Sequence, residues 1–389
     1  MPGFELIGRE EKEAVNEVFD KGGILMRHSF KEKRQGIYKV DEFEREFAKK
    51  FNVQYARAVS SGTAALKVAL KALDVKAGDE VITQSHTFVA TVEAIIDIGA
   101  IPVITEINKT LNMDPEDLRA KITEKTAAII PVHLLGVSCQ MDEIMPIAKE
   151  KNIPILEDSA QALGGEYKGK KLGTLGEIGI FSFDFAKPLT TGEGGMAVTN
   201  DKELYQKAKE YSDHGHQSNP NFPRGQDTRR MPGFNFNMME LQGAVGLAQL
   251  KKMDYALSRQ RENKKKIKEG LKNISGIEFR EIPDPEGDIC DCVIFFLRAK
   301  EKAEQFAKLW KERGFTTKNI PNANPWHFAG TWDHMLPQYD IYKGKNLMDL
   351  WPKSYDLLYR GIAIPVMIKM DDEQIKKVIN NVNEIFKEI

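Results

Sequence analysis

Cysteine is scarce in this chain, and neither sign of charge is in surplus. Three cysteines among 389 residues are too few for the disulfide framework of a small secreted domain. The 56 Lys and Arg residues nearly balance the 57 Asp and Glu residues, which leaves a formal net charge of -1. Broad nucleic-acid binding needs a surplus of cations, so we do not expect a nucleic-acid partner.

Long apolar runs are also missing. The most apolar stretch, 127–137, is shorter than the ~20 residues of a membrane-spanning helix and includes His133. Residues 1–13 are charged and lack the apolar core of a secretory signal. We therefore expect no membrane contact and a cytoplasmic location.

Familiar nucleotide and metal motifs are absent as well. The sequence contains neither a P-loop ending in GKS or GKT nor a Rossmann G-x-G-x-x-G. Cys290 and Cys292 form a C-x-C without a matching second pair, so we expect no metal site. We expect Cys139 to be a buried packing residue.

Short apolar runs alternate with helical patterns between residues 53 and 200. The runs are bounded by Gly, Pro or charged residues, which is typical of strands buried on both faces of a sheet. In the intervening segment 63–73, Leu66, Leu70 and Leu73 fall on one face of a helix. The alternation predicts an α/β domain with a mostly parallel sheet. The predicted strands are 81–83, 101–104, 127–132, 153–157, 178–183 and 196–199.

A long loop and a long helix are predicted after this domain. Residues 213–234 are rich in Gly, Pro, Asn and Arg, and loops of that length are usually functional. A helical pattern then runs on from Met238. We predict a large domain over 1–250 and a smaller α/β domain over 251–389. The predicted strands of the smaller domain are 277–280, 293–297 and 362–366.

Ser60-Ser61-Gly62-Thr63 directly precedes a helical run and is the first candidate for chemistry. Small residues at a helix start expose backbone N–H groups, and the helix dipole adds positive potential, so a phosphate could bind there. Ser61 or Thr63 could instead be an ordinary helix cap. The segment alone favours the cap.

Asp158 directly follows the apolar run 153–156 and is the second candidate. Open α/β sheets bind ligands at the carboxyl ends of their strands, where a carboxylate could pair with a cationic group of a cofactor. Asp158 could equally cap the following turn, with Glu157 as the exposed partner.

Lys187 is the third candidate, because it lies between aromatic and glycine-rich segments at 181–185 and 192–195. Burial lowers the pKa of a lysine and makes its neutral amine a nucleophile that can condense with an aldehyde. Lys187 could also extend past the glycine-rich segment into solvent. Lysines are common in this chain, which favours the solvent-exposed alternative, whereas the aromatic and glycine-rich flanks favour a nucleophilic amine.

The three candidates together match the needs of one cofactor. Pyridoxal phosphate requires a phosphate site, an acid that pairs with its pyridine nitrogen, and a lysine that forms a Schiff base. Each candidate is weak alone, but their conjunction indicates this cofactor.

The candidates lie within longer motifs, and two further motifs accompany them. F-S-F-x-x-x-K-x-x-x-x-G-E-G-G at 181–195 is the most specific. The others are S-G-T-A-A-L at 61–66, T-F-V-A-T at 87–91, E-D-S-A-Q-A at 157–162 and G-F-N-F-N-M-M-E-L-Q at 233–242. From about Gly8 to the last helix, the chain resembles the DegT/DnrJ/StrS sugar aminotransferases of fold type I.

The resemblance implies a transaminase that uses pyridoxal phosphate and whose large domain contains a mostly parallel seven-stranded sheet. Lys187 would hold the cofactor as a Schiff base and would move the proton during catalysis. Asp158 would keep the pyridine nitrogen protonated. Gln161 would lie near the 3-hydroxyl group of the cofactor, and Phe88 would stack on its ring.

The cofactor's phosphate would be held by residues from two subunits, according to the same resemblance. Gly62, Thr63 and Ser182 would bind it from one chain. Asn235 would reach the phosphate of the neighbouring subunit, because these enzymes are homodimers with shared active sites.

The expected reaction is transfer of an amino group from L-glutamate to a keto or aldehyde group of a sugar. The cluster at 326–328 and 332–334 is similar to one in a transaminase of 8-oxo-3-deoxy-manno-octulosonate, a lipopolysaccharide sugar acid. A nucleotide-linked 3- or 4-keto-6-deoxy sugar is the alternative acceptor. The expected substrate contacts are Arg27, His28, Glu193, His214, Arg229, Trp326 and His327.

The chain also departs from the pattern of these enzymes. Asp184, Asn237 and Leu135 replace the residues that are frequent at those positions, and the segment 22–36 is longer and more basic than usual. These changes leave the expected fold and cofactor in place but argue against the usual substrate class, a nucleotide-linked keto-sugar.

Three other functions remain open. A sugar dehydratase with this cofactor would carry His where Lys187 stands, so Lys187 argues against it. A regulator that binds the cofactor without catalysis would need a DNA-binding module, and no helix-turn-helix or basic stripe is evident. A binding protein for a small acidic ligand would use Lys187 only structurally.

Overall fold

A sheet of seven strands forms the centre of this computed structural model, which describes residues 3–219 and 221–389. The strands up to residue 199 are β1 (Tyr55–Val59), β2 (Glu80–Gln84), β3 (Ile101–Thr105), β4 (Thr126–Ile130), β5 (Leu156–Asp158), β6 (Glu166–Tyr167), β7 (Lys170–Lys171), β8 (Ile178–Ser182) and β9 (Gly195–Thr199). The three after residue 270 are β10 (Glu278–Phe279), β11 (Cys292–Phe296) and β12 (Gly361–Pro365).

Seven of these strands lie side by side in the order β1-β9-β8-β5-β4-β2-β3. Two blocks, β1-β9-β8-β5 and β3-β2-β4, are joined by parallel bridges from Ile129 to Ile155 and from Val132 to Asp158. Only β9 runs antiparallel to its neighbours in this sheet. The predicted seven-stranded, mostly parallel sheet is confirmed.

Helices cover both this sheet and a second, smaller one. They are α1 (Arg9–Asp20), α2 (Lys39–Phe51), α3 (Gly62–Ala72), α4 (Ala90–Asp97), α5 (Pro115–Lys121), α6 (Met141–Glu150), α7 (Lys202–Tyr211), α8 (Glu240–Leu271), α9 (Lys300–Glu312), α10 (Asn324–His327), α11 (Pro352–Arg360) and α12 (Asp372–Glu388). Within the described part of the chain, no helix is both long enough and apolar enough to cross a bilayer.

The helix α3 shows how the sequence sets the elements that carry the site. Ser61 begins it, because its Oγ accepts a hydrogen bond from the backbone N–H of Ala64 at 3.0 Å. Small and branched apolar side chains then bury one face against the sheet, among them Ala65, Val68 and Ala69. Burial of that face fixes the helix start at the end of β1.

The sequence did not reveal the edge strand β1. Arg57 stands in the middle of Tyr55–Val59 and interrupts an otherwise apolar run. In the structure, Arg57 is buried but meets polar partners from other segments. The strand is therefore defined by tertiary contacts that no local pattern contains.

The C-terminal part of the chain contributes to two cores. The antiparallel sheet β10-β11-β12 packs with α9 and α12 around Phe295, Phe306 and Trp310. Residues 329–351 instead join the core of the large sheet, where the Trp351 indole N–H donates to the carbonyl of Ile104 at 3.0 Å. The helix α8 runs unbroken across residue 250, so the domain boundary placed there stays a prediction.

The segment 213–234 is a loop, as predicted, with one short 3-10 turn at Arg224–Gln226 among its described residues. Charged contacts hold its two ends. Arg224 makes a two-point ion pair with Asp213, and the Arg230 Nε donates to Glu210 at 2.7 Å. The loop is therefore anchored to α7 rather than lying free on the surface.

Candidate active site

A cavity of about 340 Å³ opens where parallel strands of the large sheet end. Its lining comes from segments that directly follow β1, β2, β4, β5 and β8. Ligands of open α/β sheets bind at this edge, because the loops after neighbouring strands converge there. We call it the Lys187 cavity. It brings together Gly62, Thr63, Phe88, Asp158, Gln161, Ser182, Lys187, Glu193 and His327.

Lys187 carries an amine that has no counterion among the residues that the structure describes. It lies in a turn after β8, where its backbone N–H donates to the carbonyl of Asp184 at 3.0 Å. The residue is half-buried, and its Nζ makes neither a hydrogen bond nor an ion pair with the residues that the structure describes. Burial lowers the pKa of this amine, which enriches the neutral, nucleophilic form.

The carboxylate of Asp158 also lacks an ion pair with the described residues. It is 3% exposed, accepts hydrogen bonds from the Thr91 Oγ1 at 2.8 Å and the Ala160 N–H at 3.1 Å, and has no ion pair among the described residues. Burial raises its pKa. Such a carboxylate is stabilised by a cation, and the protonated nitrogen of a pyridine ring would supply one.

The neighbouring Glu157 does not compete with Asp158 for this role. Its carboxylate points to the other side of the strand, where it binds the His133 Nε2 at 2.9 Å and the backbone N–H of Gly173 at 3.0 Å. The backbone N–H of Cys139 donates to His133 Nδ1, which leaves the Nε2–H of His133 to donate to Glu157. Asp158 both caps its turn and faces the cavity, so the two roles that the sequence left open occur together.

The start of α3 and Ser182 form a cradle of donors. The first N–H groups of a helix have no partner within it, and here they belong to Gly62 and Thr63. A Cβ on Gly62 would lie 2.8 Å from the Cβ of Ser182, so only glycine allows the helix to approach β8 this closely. The cradle suits a phosphate group.

Gln161 and Phe88 complete the walls of the Lys187 cavity. The Gln161 Oε1 accepts from the N–H of Leu135 at 3.4 Å, which leaves its Nε2 as a donor for an oxygen in the cavity. The Phe88 ring is 41% exposed and lies nearly parallel to Trp326, with 6.2 Å between the ring centroids. This aromatic pair forms one rim of the opening.

His327 is held as a neutral imidazole at the same rim. Its Nδ1 donates to the carbonyl of Ala323 at 2.9 Å, and its Nε2 accepts from the Asn319 Nδ2 at 3.1 Å. Burial lowers the pKa of His327 to about 4. At neutral pH this side chain contributes an oriented dipole and no charge.

The residues present therefore fit pyridoxal phosphate, because the cradle, Asp158 and Lys187 line one cavity. Residues 7–383 match the DegT/DnrJ/EryC1/StrS aminotransferase family. The chain belongs to this family. It is an aminotransferase of fold type I that uses pyridoxal phosphate.

Relatives and solved structures agree with the family over nearly the whole length. GDP-perosamine synthase from Escherichia coli O157:H7 is 34% identical over 380 residues, which cover 97% of this chain and 96% of the relative. The aminotransferase from Psychrobacter cryohalolentis has a TM-score of 0.84 and 28% identity, with 98% of both chains covered. NtdA from Bacillus subtilis, solved with bound cofactor PMP, has a TM-score of 0.84 and 25% identity and covers 99% of this chain and 84% of its own.

Some residues expected at the active site of this aminotransferase lie elsewhere in the chain. Arg27 and His28 line a separate cavity, because Glu44 and Asp41 hold the Arg27 guanidinium at 2.9 Å. Asn235 is exposed and pairs with Asp213 at the far end of the loop. A contact of Asn235 with the phosphate of a second subunit stays a prediction.

The remaining expected substrate contacts divide in the same way. Glu193 lines the Lys187 cavity, and Trp326 lies on its rim. His214 and Arg229 lie on the exposed side of the 213–234 loop and do not line the cavity. Trp332 is fully buried in the core, so the aromatic cluster noted in the sequence does not face the cavity as a unit.

Three residues of the aminotransferase site were not singled out from the sequence. Thr87 and Thr91 bond to each other at 2.8 Å, and Thr91 then bonds to Asp158. The four-residue spacing of the two threonines at a helix start could have indicated them. Asn319 comes from a loop of the C-terminal part, and no local pattern points to it.

Proposed function

We propose that this aminotransferase transfers the amino group of L-glutamate to a keto or aldehyde carbon of a sugar. The observation that carries the proposal is the unpaired Lys187 amine in one cavity with the unpaired carboxylate of Asp158. The similarity to GDP-perosamine synthase supports a sugar acceptor, and first among such acceptors a nucleotide-linked 3- or 4-keto-6-deoxy sugar.

Lys187 moves the proton in this reaction. Bound pyridoxal phosphate supplies an electron sink that stabilises negative charge on the substrate carbon. The Lys187 Nζ takes the proton from that carbon of the donor and returns a proton to the acceptor. Its lowered pKa keeps the amine in the basic form that accepts a proton near neutral pH.

Asp158 and the phosphate cradle hold and orient the cofactor. Asp158 would accept the hydrogen bond of the ring nitrogen and keep that nitrogen protonated, while Thr91 and Ala160 fix the carboxylate in place. The N–H groups of Gly62 and Thr63 and the hydroxyl of Ser182 would bind the phosphate.

The rim of the Lys187 cavity positions the acceptor. Phe88 and Trp326 offer flat apolar surface to a ring, and apolar faces of sugars and nucleobases pack on aromatic side chains. The Asn319 amide supplies hydrogen-bonding groups without adding charge, and the neutral His327 orients this amide by accepting from its Nδ2. Glu193, on the other side, suits hydroxyl groups.

An acceptor screen tests the proposal. The purified enzyme, loaded with cofactor and supplied with L-glutamate, is incubated with nucleotide-linked 3- and 4-keto-6-deoxy sugars and with 8-oxo-3-deoxy-manno-octulosonate. We expect 2-oxoglutarate and an amino sugar from a nucleotide-linked substrate. If only the sugar acid is turned over, it replaces the nucleotide-linked sugar as the proposed acceptor. The absence of turnover with any of these sugars would overturn the proposal. L-glutamine in place of L-glutamate decides the donor.

We further propose that two chains form a homodimer and share their active sites through Asn235. Around Asn235, Phe234 is 54% exposed and Met239 is 41% exposed, which leaves an apolar surface for a second copy. An inactive Lys187→Ala chain mixed with an Asn235→Ala chain should regain activity, because one of the two sites in the hybrid is intact. Activity no higher than the sum of the separate variants would contradict shared sites.

A further inference from the structure

A second cavity, of about 420 Å³, lies between α2, β1, α7 and the 213–234 loop. Five cationic side chains and three carboxylates line it, so positive charge exceeds negative charge by two. The cationic residues are Arg27, Arg45, Arg57, Lys209 and Arg224, and the acidic residues are Asp41, Glu44 and Asp213. We call it the Arg57 cavity.

The three carboxylates already have partners. Glu44 accepts from both terminal nitrogens of Arg27 at 2.9 Å, and Asp41 accepts from one of them at 2.9 Å. Asp213 is bound by both terminal nitrogens of Arg224. These pairs use the negative charge of the Arg57 cavity and leave its other cations without an anion.

Arg57 is the most deeply buried of those remaining cations. It is 4% exposed, and its hydrogen bonds go to neutral groups, from Nε to the Ser212 Oγ at 2.9 Å and from Nη2 to the Asn237 Oδ1 at 2.8 Å. It makes no ion pair within the described residues, and its Nη1 donates to none of them. Burial first, and Arg27 second, lower the pKa of Arg57 to about 10.

Lys209 and His28 add to this unpaired set. The Nζ of Lys209 has no hydrogen bond or ion pair among the described residues, and burial together with Arg57 lowers its pKa. The Nδ1 of His28 is buried and has no hydrogen-bond partner in the described part of the chain. A buried charge without a counterion is costly, so such groups occur where a ligand supplies the opposite charge.

We propose that the Arg57 cavity binds a phosphoryl group, as a diphosphate or a phosphate ester, between Arg57 and Lys209. The excess of two positive charges matches a group with about two negative charges. Arginine and lysine are the side chains that recognise phosphate most often. The Arg57 cavity shares no lining residue with the Lys187 cavity of the same chain, so loss of anion binding and loss of amino transfer can be measured separately.

Binding of inorganic pyrophosphate to the cofactor-loaded enzyme, measured by isothermal titration calorimetry, tests this site. We expect one pyrophosphate per chain, with an affinity that falls at least about tenfold in Lys209→Met and in Arg57→Gln. Lys207→Met is the matched control. Lys207 lies on the same helix but is paired with Asp74 at 2.5 Å outside the cavity, so its loss should leave the affinity unchanged.

Guanosine diphosphate in a parallel titration separates the two sources of such a group. Tighter binding than pyrophosphate identifies a nucleotide ligand, and equal or weaker binding identifies a phosphate ligand without a base. Either result supports the phosphoryl site, provided that Lys209→Met weakens the binding of both ligands.

Thermal unfolding supplies a second readout that does not need catalysis. Without pyrophosphate, Lys209→Met should melt no lower than wild type, because it removes an unpaired cation. At one fixed pyrophosphate concentration, the melting temperature of wild type and of Lys207→Met should rise more than that of Lys209→Met or Arg57→Gln. The proposal is overturned by absent binding in the cofactor-loaded enzyme, by binding that only the cofactor-free enzyme shows, or by equal affinity in all variants.

Discussion

The Lys187 cavity and the Arg57 cavity differ in which of their charged side chains lack an ion pair. The Lys187 cavity contains an amine and a carboxylate, and neither has an ion pair with any residue that the structure describes. The Arg57 cavity is crowded with ion pairs, and only its cations are left over. We therefore expect different ligands, pyridoxal phosphate in the Lys187 cavity and an anion in the Arg57 cavity.

We expect the largest effect from Lys187→Ala. Removal of the amine eliminates covalent attachment and proton transfer, so turnover should fall by more than about 10³-fold. The melting temperature of the cofactor-free protein should change little, because the Lys187 Nζ makes no hydrogen bond or ion pair with the described residues. Lys170→Ala, on an exposed hairpin, is the control and should retain full activity. Wild-type turnover in Lys187→Ala would refute the role of this residue.

Asp158→Asn tests the charge of the carboxylate, since it removes the charge while nearly preserving the shape of the side chain. Turnover should fall by roughly 10²-fold, because a neutral amide no longer holds the proton on the ring nitrogen. In the cofactor-free protein the opposite change is expected. The pKa of Asp158 is raised by burial, so its ionised form destabilises the fold at pH 7, and Asn should raise the melting temperature. A lower melting temperature together with full activity would contradict this account.

Gly62→Ala tests the phosphate cradle by steric means. Its Cβ would lie 2.8 Å from the Cβ of Ser182 and would push α3 away from β8. Overpacking of this kind costs about 1 to 3 kcal/mol, so we expect cofactor affinity to fall roughly tenfold or more. Gly225→Ala is the matched control, because no atom lies within 4 Å of the Cβ position there. Equal cofactor affinity in the two variants would count against the cradle.

The smallest effect is expected for the pH dependence of His327→Gln. His327 has a depressed pKa of about 4, so it is neutral from pH 6 to 8 and the variant should keep the shape of the pH–rate profile there. The depressed pKa also means that the unfolded chain binds more protons between pH 4 and about 6.5. Wild type should therefore lose more stability than the variant when the pH falls from 7 to 5. A limb of the rate profile near pH 6.5 that disappears in the variant would contradict a neutral His327.

The Lys187 cavity was largely predictable from the sequence, because its residues lie in contiguous motifs at strand ends. Asp158 ends β5, Gly62 lies three residues after β1, and Lys187 lies five residues after β8. Parallel strands bring those positions to one edge of the sheet. The Thr91 contact with Asp158 and the Asn319 contact with His327 were not predictable, because both depend on segments distant in sequence.

The basic segment 22–36 shows why the Arg57 cavity escaped prediction. Taken alone, it suggests cations that are available to a substrate. In the structure, Arg27 is paired with Glu44, and Arg34 is fully buried against Glu240, 206 residues away. The fate of a charged side chain depends on its distant partners, so composition alone did not separate paired from unpaired cations.

The central claim is that Lys187 is the residue that binds pyridoxal phosphate covalently. The most direct test is to load the protein with pyridoxal phosphate, reduce it with borohydride and locate the adduct by peptide mass spectrometry. We expect one phosphopyridoxyl group per chain, on the peptide that contains Lys187. No adduct, or an adduct on a different lysine, would contradict the account.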